Sequence, residues 1–230
     1  MKKRRMVLII ILFLLIIGGA GLCLFANLCE TQTIGSNNLG YVTKSTYSHY
    51  GDSEHKIAVV SGMHSREKLS ADVLPIAVKF YALFNKVDIV NYQVTVLDNP
   101  DDFYIGRSNG ESLVNNYVVN DIAKENFDLV IIGHDHEEGY GGDGFYIATP
   151  SMDSKSVNLA EKAINNIPNF NYYKRDTTKS AKSSSITTVD NPIVATGTPL
   201  FVYEIPEWLG FFEALGNSYS LIGASFNCFN

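Results

Sequence analysis

One stretch of the sequence predicts the fold more clearly than any other, Asp128-Leu129-Val130-Ile131-Ile132-Gly133. It is short and apolar, which is typical of a strand in the middle of a mostly parallel sheet covered on both faces. A second apolar run, Ile57-Ala58-Val59-Val60, ends at Ser61-Gly62 and is predicted to be a buried strand that reaches a turn. Residues 92–97 alternate and are rich in β-branched side chains, so they are predicted to form a third strand.

Segments with helical spacing of apolar residues separate these strands. Four of them are predicted, over residues 69–84, 111–125, 157–167 and 208–215. Two more strands are predicted at 145–148 and 199–205, and residues 172–190, rich in Lys, Ser and Thr, are interpreted as a surface loop or a pair of hairpin arms. Strands that alternate with helices indicate an α/β domain, a mostly parallel mixed sheet flanked by helices.

The N-terminal 28 residues differ from the rest. Met1-Lys2-Lys3-Arg4-Arg5 precedes an uncharged apolar run over 6–28, long enough at about 1.5 Å per residue to cross about 30 Å of hydrocarbon. The basic residues favour a cytoplasmic N-terminus, which places the remainder outside the cell. We therefore predict a cytoplasmic tail (1–5), a single transmembrane helix acting as a signal-anchor (6–28), a spacer (29–55) and a compact domain (56–230). A cleaved signal peptide with a secreted domain is the alternative.

Charge and cysteine content exclude some classes of protein. All 24 acidic residues and 14 of the 18 basic ones follow residue 29, so this part carries a net charge of −10, which disfavours nucleic acid as a partner. Cys228 is the only cysteine beyond residue 29. No disulfide framework is therefore expected within the domain, and the hydrophobic core must stabilise it.

Three of the five histidines directly follow predicted strands. His64 lies just beyond the strand at 57–60, and His134 and His136 lie just beyond the strand at 129–132. The carboxyl ends of parallel strands meet at one edge, where binding sites collect. In His64-Ser65-Arg66-Glu67 an imidazole and a carboxylate are three residues apart, which lets both converge on one ion, and His134 would supply a third ligand. Zinc accepts such a set and leaves a fourth position open in catalytic sites.

The stretch Gly62-Met63-His64-Ser65-Arg66-Glu67 resembles the first zinc motif of the zinc carboxypeptidases and of the related aspartoacylase and succinylglutamate desuccinylase group. Val130-Ile131-Ile132-Gly133-His134 is similar to the strand that ends in that family's third ligand. Phe201-Val202-Tyr203-Glu204 is similar to the late strand that carries its general base. The resemblance covers about residues 56–208. It implies one zinc ion bound by His64, Glu67 and His134, with Glu204 as the general base.

The remaining site residues are less sharply indicated. Glu204 lies among apolar residues, where a carboxylate is costly unless it is paired or placed beside a metal. The family also uses Arg and Asn side chains to hold the substrate, and Gly106-Arg107-Ser108-Asn109-Gly110 occupies the matching interval, although the full set is not recoverable. Arg107 suits a carboxylate or an oxyanion, and Asn109 would orient the substrate. Arg66 and Tyr203 are further candidates for substrate contact. A solvated loop charge for Arg107 and a surface ion pair for Arg66 stay open.

The resemblance implies a zinc-dependent amide hydrolase, a metalloprotease of the carboxypeptidase type acting on peptides or cell-wall peptides outside the cytoplasm. A deacylase acting on acyl-amino acids is the closest variant. Gly133-His134-Asp135-His136 is also similar to the G-H-x-H ending of calcineurin-like metallophosphoesterases, but the D-x-H and G-N-H motifs expected upstream are absent. A membrane-tethered binding module without turnover is the non-enzymatic alternative. The acidic, glycine-rich loop 135–144 is expected to lie near the substrate.

Overall fold

The computed structural model describes residues 2–26, 29–180 and 183–229, without the side chains of residues 2, 3, 23 and 26. In this part of the chain the helices are α1 (Lys2–Ala26), α2 (Lys68–Phe84), α3 (Phe103–Leu113), α4 (Asn120–Ile122), α5 (Ser154–Asn166), α6 (Asn191–Ala195) and α7 (Phe211–Asn227). The strands are β1 (Glu30–Asn37), β2 (Gly40–Tyr47), β3 (Lys56–Ser61), β4 (Asp88–Val96), β5 (Leu129–His136), β6 (Tyr146–Ala148), β7 (Asn171–Tyr173) and β8 (Leu200–Pro206). Two π-helical segments, Val114–Val119 and Ile186–Asp190, lead into α4 and α6.

The strands form one mixed sheet in the order β1-β2-β4-β3-β5-β8-β6-β7. The central four, β4, β3, β5 and β8, are parallel. β1 and β2 add antiparallel strands beyond β4, and β6 pairs antiparallel with β8. The predicted α/β architecture with a mostly parallel mixed sheet is confirmed.

The sheet has a core on each face because both of its surfaces are apolar. On one face α2, α5 and α7 cover residues such as Ile57, Ile131 and Phe201. On the other face α3, α4, α6 and the π-helical segments cover residues such as Val60 and Ile132. Neighbours along a strand point to opposite faces, which explains why the central strands are apolar at every position.

Residues 29–55 differ from the prediction, since most of this segment is not a spacer. It contains β1 and β2, which extend the sheet by two strands. The polar character that suggested a spacer has two causes. β1 is a largely exposed edge strand, and the buried Lys44 of β2 finds acidic partners in Asp121 and Glu125. The folded domain therefore begins near Glu30.

Residues 172–190 also differ from the prediction. Residues 171–173 form the edge strand β7, and 186–190 form a π-helical segment whose last residue, Asp190, is buried. Residues 181 and 182 lie outside the described part. The sequence does not reveal this helical segment because its apolar contacts, at Val189 and in the following α6, are few and far apart in the sequence.

The apolar N-terminal segment is a helix, α1. Its stretch Arg4–Leu22 is long and apolar enough to cross a membrane, and no part of it is buried against the domain. A membrane anchor and a signal sequence share this form. Residues 1, 27 and 28, which belong to the predicted tail and span, lie outside the described residues.

Candidate active site

The site lies at the carboxyl edge of the sheet, between two neighbouring strands. From β3 the chain passes to β4 on one side, whereas β5 lies on the other side of β3. Such a reversal opens a crevice beyond the strand ends, where ligands bind in open α/β sheets. His64 follows β3, and His134 lies near the end of β5.

Three side chains converge in this crevice. Nδ1 of His64 lies 2.7 Å from Oε1 of Glu67, and Nδ1 of His134 lies 2.7 Å from Oε2 of the same carboxylate. The ring centroids of the two histidines are 4.4 Å apart. One ligand atom from each of the three residues lies within 4.8 Å of the others. Atoms this close can all reach one metal ion.

Glycines allow the backbone around His64 to take this position. Gly62 has a φ of +75°, which few other residues adopt, and a side chain there would collide with the carbonyl of Val94. Gly110 of α3 lies directly against the carbonyl of Met63, where a Cβ atom has no room. α3 therefore packs closely on the loop that carries His64, which brings the side chains of α3 to the site.

Glu67 is free to face the site because another residue caps α2. Glu67 occupies the N-cap position of that helix but makes no capping hydrogen bond. Instead, the amides of Leu69 and Ser70 donate to the two carboxylate oxygens of Asp135, at 2.8 and 2.7 Å. Burial of Glu67 would raise its pKa, but the charges and hydrogen bonds of His134 and His64 hold it well below its usual range. Glu67 is therefore an ionised carboxylate.

Glu204 lies beside His134 on the adjacent strand. The two residues are register partners in the parallel pair β5–β8 and share one face of the sheet. Glu204 is 9% exposed. Burial raises its pKa to about 8; Glu67 and Asp135 also raise it, while His134 and Arg107 oppose the shift.

Two side chains of α3 complete the wall of the site. Oε1 of Glu111 lies 3.4 Å from Nε2 of His64 and 3.3 Å from Nε of Arg107, and the Ser184 hydroxyl donates to the same oxygen at 2.8 Å. Arg107 also donates to the Ser183 hydroxyl at 3.0 Å, and its Nη1 lies 3.7 Å from Glu67. Burial would raise the pKa of Glu111, but its interaction with His64 and the hydrogen bond from Ser184 lower it. Glu111 thus lies on the side of His64 opposite Glu67, close to a ring nitrogen, Nε2, that has no hydrogen-bond partner among the described residues.

Asp190 is a fourth acid near this group. It is 1% exposed, and its Oδ1 has no hydrogen-bond partner among the described residues. Burial raises its pKa to about 7; His134 lowers it, Glu111 raises it and Arg107 lowers it. A buried carboxylate without a partner is costly unless a cation lies nearby.

This donor set fits a zinc ion. Two imidazoles and a carboxylate are a known catalytic zinc set that leaves a position open. A histidine that binds a metal usually has a carboxylate close to its other ring nitrogen. Glu111 lies in this position beside Nε2 of His64. Glu67 and Glu111, whose pKa values are lowered, bring negative charge to the site, which also favours a bound cation.

The structure brings most of the predicted residues together. His64, Arg66, Glu67 and Arg107 line one small pocket with Ser65 and Phe103. The Arg66 guanidinium lies over the Phe103 ring, 5.7 Å from its centroid. Arg66 and Arg107 therefore both border the crevice in which a substrate would lie.

Two predicted substrate contacts lie elsewhere. The Asn109 amide donates to the Asp98 carbonyl at 2.9 Å and so ties α3 to the preceding turn. Tyr203 is fully buried on the sheet face opposite Glu204, and its hydroxyl lies 3.3 Å from that of Ser218. The structure does not bring Tyr203 into the site, because neighbours along a strand point to opposite faces.

His136 also lies outside the converging group. Its ring nitrogens lie 3.0 Å from the Glu137 carbonyl and 2.9 Å from the Gly144 carbonyl. It holds together the ends of the loop that follows β5. Within that loop Tyr140 is 55% exposed. Partial burial of its hydroxyl and the charge of Glu204 raise the pKa of Tyr140.

Comparisons with known proteins bear on the fold. No protein-family model and no curated protein sequence matches the chain. Among solved structures, the metallo-carboxypeptidase from Burkholderia cenocepacia superposes with a TM-score of 0.61 at 12% identity, covering 92% of this chain and 68% of that one. The metallo-carboxypeptidase from Pseudomonas aeruginosa in complex with (2-guanidinoethylmercapto)succinic acid gives 0.59 at 12% identity, with 92% and 67% covered.

A third structure, the cell shape determinant protein Csd4 from Helicobacter pylori, gives a TM-score of 0.53 at 13% identity, covering 86% of this chain and 54% of that one. This chain therefore spans only 54% to 68% of the length of these three proteins. At such identities the likeness establishes a shared fold. The carboxypeptidase-like fold that the resemblance implied is confirmed.

Proposed function

We propose that this protein is a zinc-dependent amide hydrolase of the carboxypeptidase type, acting on peptides outside the cytoplasm. The observation that carries the proposal is the convergence of His64, Glu67 and His134 at the crevice, with Glu204 buried beside His134 on the next strand. The fold shared with two metallo-carboxypeptidases supports it.

His64, Glu67 and His134 would hold the zinc ion, which when bound polarises a carbonyl group and lowers the pKa of water. Glu204 acts as the general base. It takes a proton from the attacking water and passes it to the leaving nitrogen, as a buried carboxylate with a raised pKa is suited to do. Apolar neighbours in β8 and the sheet on both sides exclude bulk water from this carboxylate.

Arg107 binds the substrate carboxylate or the developing oxyanion. Its contacts with Glu111 and Ser183 hold the guanidinium at the pocket. The side chain therefore loses little conformational entropy when a carboxylate binds. Arg66 borders the same pocket and supplies a second positive charge. Asn109 positions α3, through its bond to Asp98, rather than the substrate.

The domain acts outside the cytoplasm, attached to the membrane through α1. The exposed apolar surface of the stretch Arg4–Leu22 and the basic residues at the start of the chain support a retained anchor with the domain outside. Peptides of the cell wall are substrates within reach of such a domain. The fold that this chain shares with a cell shape determinant protein supports cell-wall peptides as the substrates.

A pair of matched peptides tests the activity. We expect the purified chain, supplied with zinc, to release the last residue of peptides with a free C-terminal carboxylate and to leave the same peptides with amidated C-termini intact. A chelator should abolish release and added zinc should restore it. Cleavage of acyl-amino acids alone would identify a deacylase instead. Absence of hydrolysis of both classes by the zinc-loaded chain would contradict the proposal.

A further inference from the structure

Exposed aromatic side chains lie at the edge of the sheet opposite the site, where the parallel strands begin. β2 ends at Tyr47, whose register partner is Ile89 near the start of β4, so the residues after β2 lie at this edge. Tyr50 is 49% exposed, and Phe80 and Phe84, one turn apart near the end of α2, are 46% and 60% exposed. We call Tyr50, Phe80 and Phe84 the aromatic patch.

The N-terminal helix joins the domain beside this patch. The ring of Phe25, near the end of α1, lies 4.8 Å from the ring of His49 and 5.9 Å from that of Tyr50. The Tyr50 hydroxyl donates to the Leu83 carbonyl at 2.5 Å, and α1 and α2 lie next to each other. Cys29, just beyond α1, packs against the core that α2 covers. The point of attachment and the patch are therefore contiguous.

α2 connects the patch with the candidate active site. It starts at Lys68, directly after Glu67, and ends at Phe84. Because it leaves the carboxyl end of β3 and leads to the start of β4, it spans the domain from one edge to the other. Its 17 residues correspond to a length of about 25 Å at about 1.5 Å per residue.

We infer that the aromatic patch rests on the bilayer surface through which α1 passes, so that the active site faces away from the membrane at a distance set by α2. This inference rests on the anchoring role proposed for α1. A spanning helix that ends beside the patch holds it at the lipid surface, and aromatic rings are favoured at that depth. At the same edge Lys56 begins β3, Asp88 begins β4 and Asp128 directly precedes β5. Because these charges are of mixed sign, we take the contact to be apolar rather than an attraction to anionic headgroups.

The orientation restricts the substrate class. Peptides displayed about one helix length from the bilayer, about 25 Å away, can enter the crevice. Peptides attached to a lipid headgroup are out of its reach. The proposed activity is thus directed to peptides of an extended external polymer.

Trp208 gives a direct test because it is the only tryptophan in the chain. It follows β8 at the catalytic edge, is 51% exposed and lies 5.3 Å from the His136 ring. We expect its fluorescence in the full-length chain, reconstituted in vesicles with a spin-labelled lipid, to be unquenched. In a Trp208→Phe/Phe84→Trp variant we expect strong quenching, equal in neutral and anionic vesicles.

A second substitution tests the patch itself. Phe80→Ser in the Phe84→Trp reporter should reduce the quenching, whereas Phe212→Ser, at a more exposed phenylalanine near the catalytic edge (85% against 46%), should leave it unchanged. Quenching of Trp208, or an unquenched reporter at position 84 in chains that float with the vesicles, would overturn the inference. If the chain self-associates while the reporter stays unquenched, the aromatic patch is a contact with a second copy of the chain. Chains that do not float with the vesicles would contradict both the anchoring role of α1 and this inference. Loss of peptide hydrolysis alone would contradict neither.

Discussion

Two groups of acids in this domain have opposite surroundings. In the first, Lys44 and Lys56 of the sheet pair with Glu125, and Lys44 also pairs with Asp121 at 2.7 Å. Burial would raise the pKa of Glu125, but hydrogen bonds from the two lysines lower it. Each acid in this group has a permanent cation of the protein beside it. It is an ordinary ion-pair network that needs nothing else.

At the candidate active site four acids, Glu67, Glu111, Asp190 and Glu204, share Arg107 and two imidazoles. Burial raises the pKa of Glu204 to about 8 and that of Asp190 to about 7. This difference supports the proposed metal, because Arg107 is the one side chain named in the second group that carries a permanent positive charge. Substitutions in the two groups should therefore have different consequences.

Glu204→Gln should have the strongest effect. Loss of the general base is expected to lower the turnover number about 10²- to 10⁴-fold, while the amide, similar in shape, leaves metal binding intact. Steady-state peptide hydrolysis with elemental analysis of the same sample checks this. Glu207→Gln, at an exposed acid of the same segment, is the matched control and should be fully active. Equal activity of both variants would remove Glu204 from the mechanism.

Glu111→Gln should act on the metal rather than on the chemistry. Without the charge behind His64, zinc affinity is expected to fall about 10- to 100-fold. Competition with a chelating dye measures this change, and saturating zinc should restore most of the activity. An unchanged affinity would mean that Glu111 only fixes Arg107 and Ser184.

Glu125→Gln should lower stability and leave the site alone. Lys44 is 6% exposed and would keep only Asp121 as its acidic partner. We expect the free energy of unfolding to fall by about 2 kcal/mol, measured by urea denaturation, with zinc content unchanged. A loss of zinc in this variant would show that the two groups are coupled.

Asp190→Asn should have the smallest effect, and of opposite sign. The pKa of Asp190 in the fold lies above its usual value, so the ionised form is penalised and stability is lost as pH rises from about 4 to about 7. The variant avoids this loss. In metal-free protein we expect a gain of about 1 kcal/mol above pH 7, since the unpaired amide offsets part of the benefit, and no gain near pH 4. Urea denaturation at both pH values checks it, and zinc should reduce the gain.

The sequence was sufficient where chemistry-bearing residues directly follow apolar strands. Both central strands are uninterrupted apolar runs, so the positions of His64 and His134 at one edge could be predicted. Glu204 stood out as a single acid in an apolar strand. The opposite orientation of Tyr203 also follows from strand alternation, and a stricter use of that rule would have excluded it.

The remaining parts depend on contacts between distant residues. Glu111 lies 47 positions beyond His64 and reaches it because Gly106 and Gly110 let α3 approach the loop that carries Met63, His64 and Ser65. The sequence feature that points to Glu111 is its spacing from Arg107, since residues four apart lie on one face of a helix. Asp190 lies in a segment whose Ser and Thr content suggested a loop. β2 was missed because its buried lysine gains its acids only in the folded sheet.

Metal content tests the central claim most directly. Elemental analysis of the full-length chain, purified with zinc supplied, should give about one zinc per chain, and a His64→Ala/Glu67→Ala variant that retains its fold by circular dichroism should give none. Two metals per chain, no metal in the natural protein, or equal zinc in both proteins would contradict the single-zinc site.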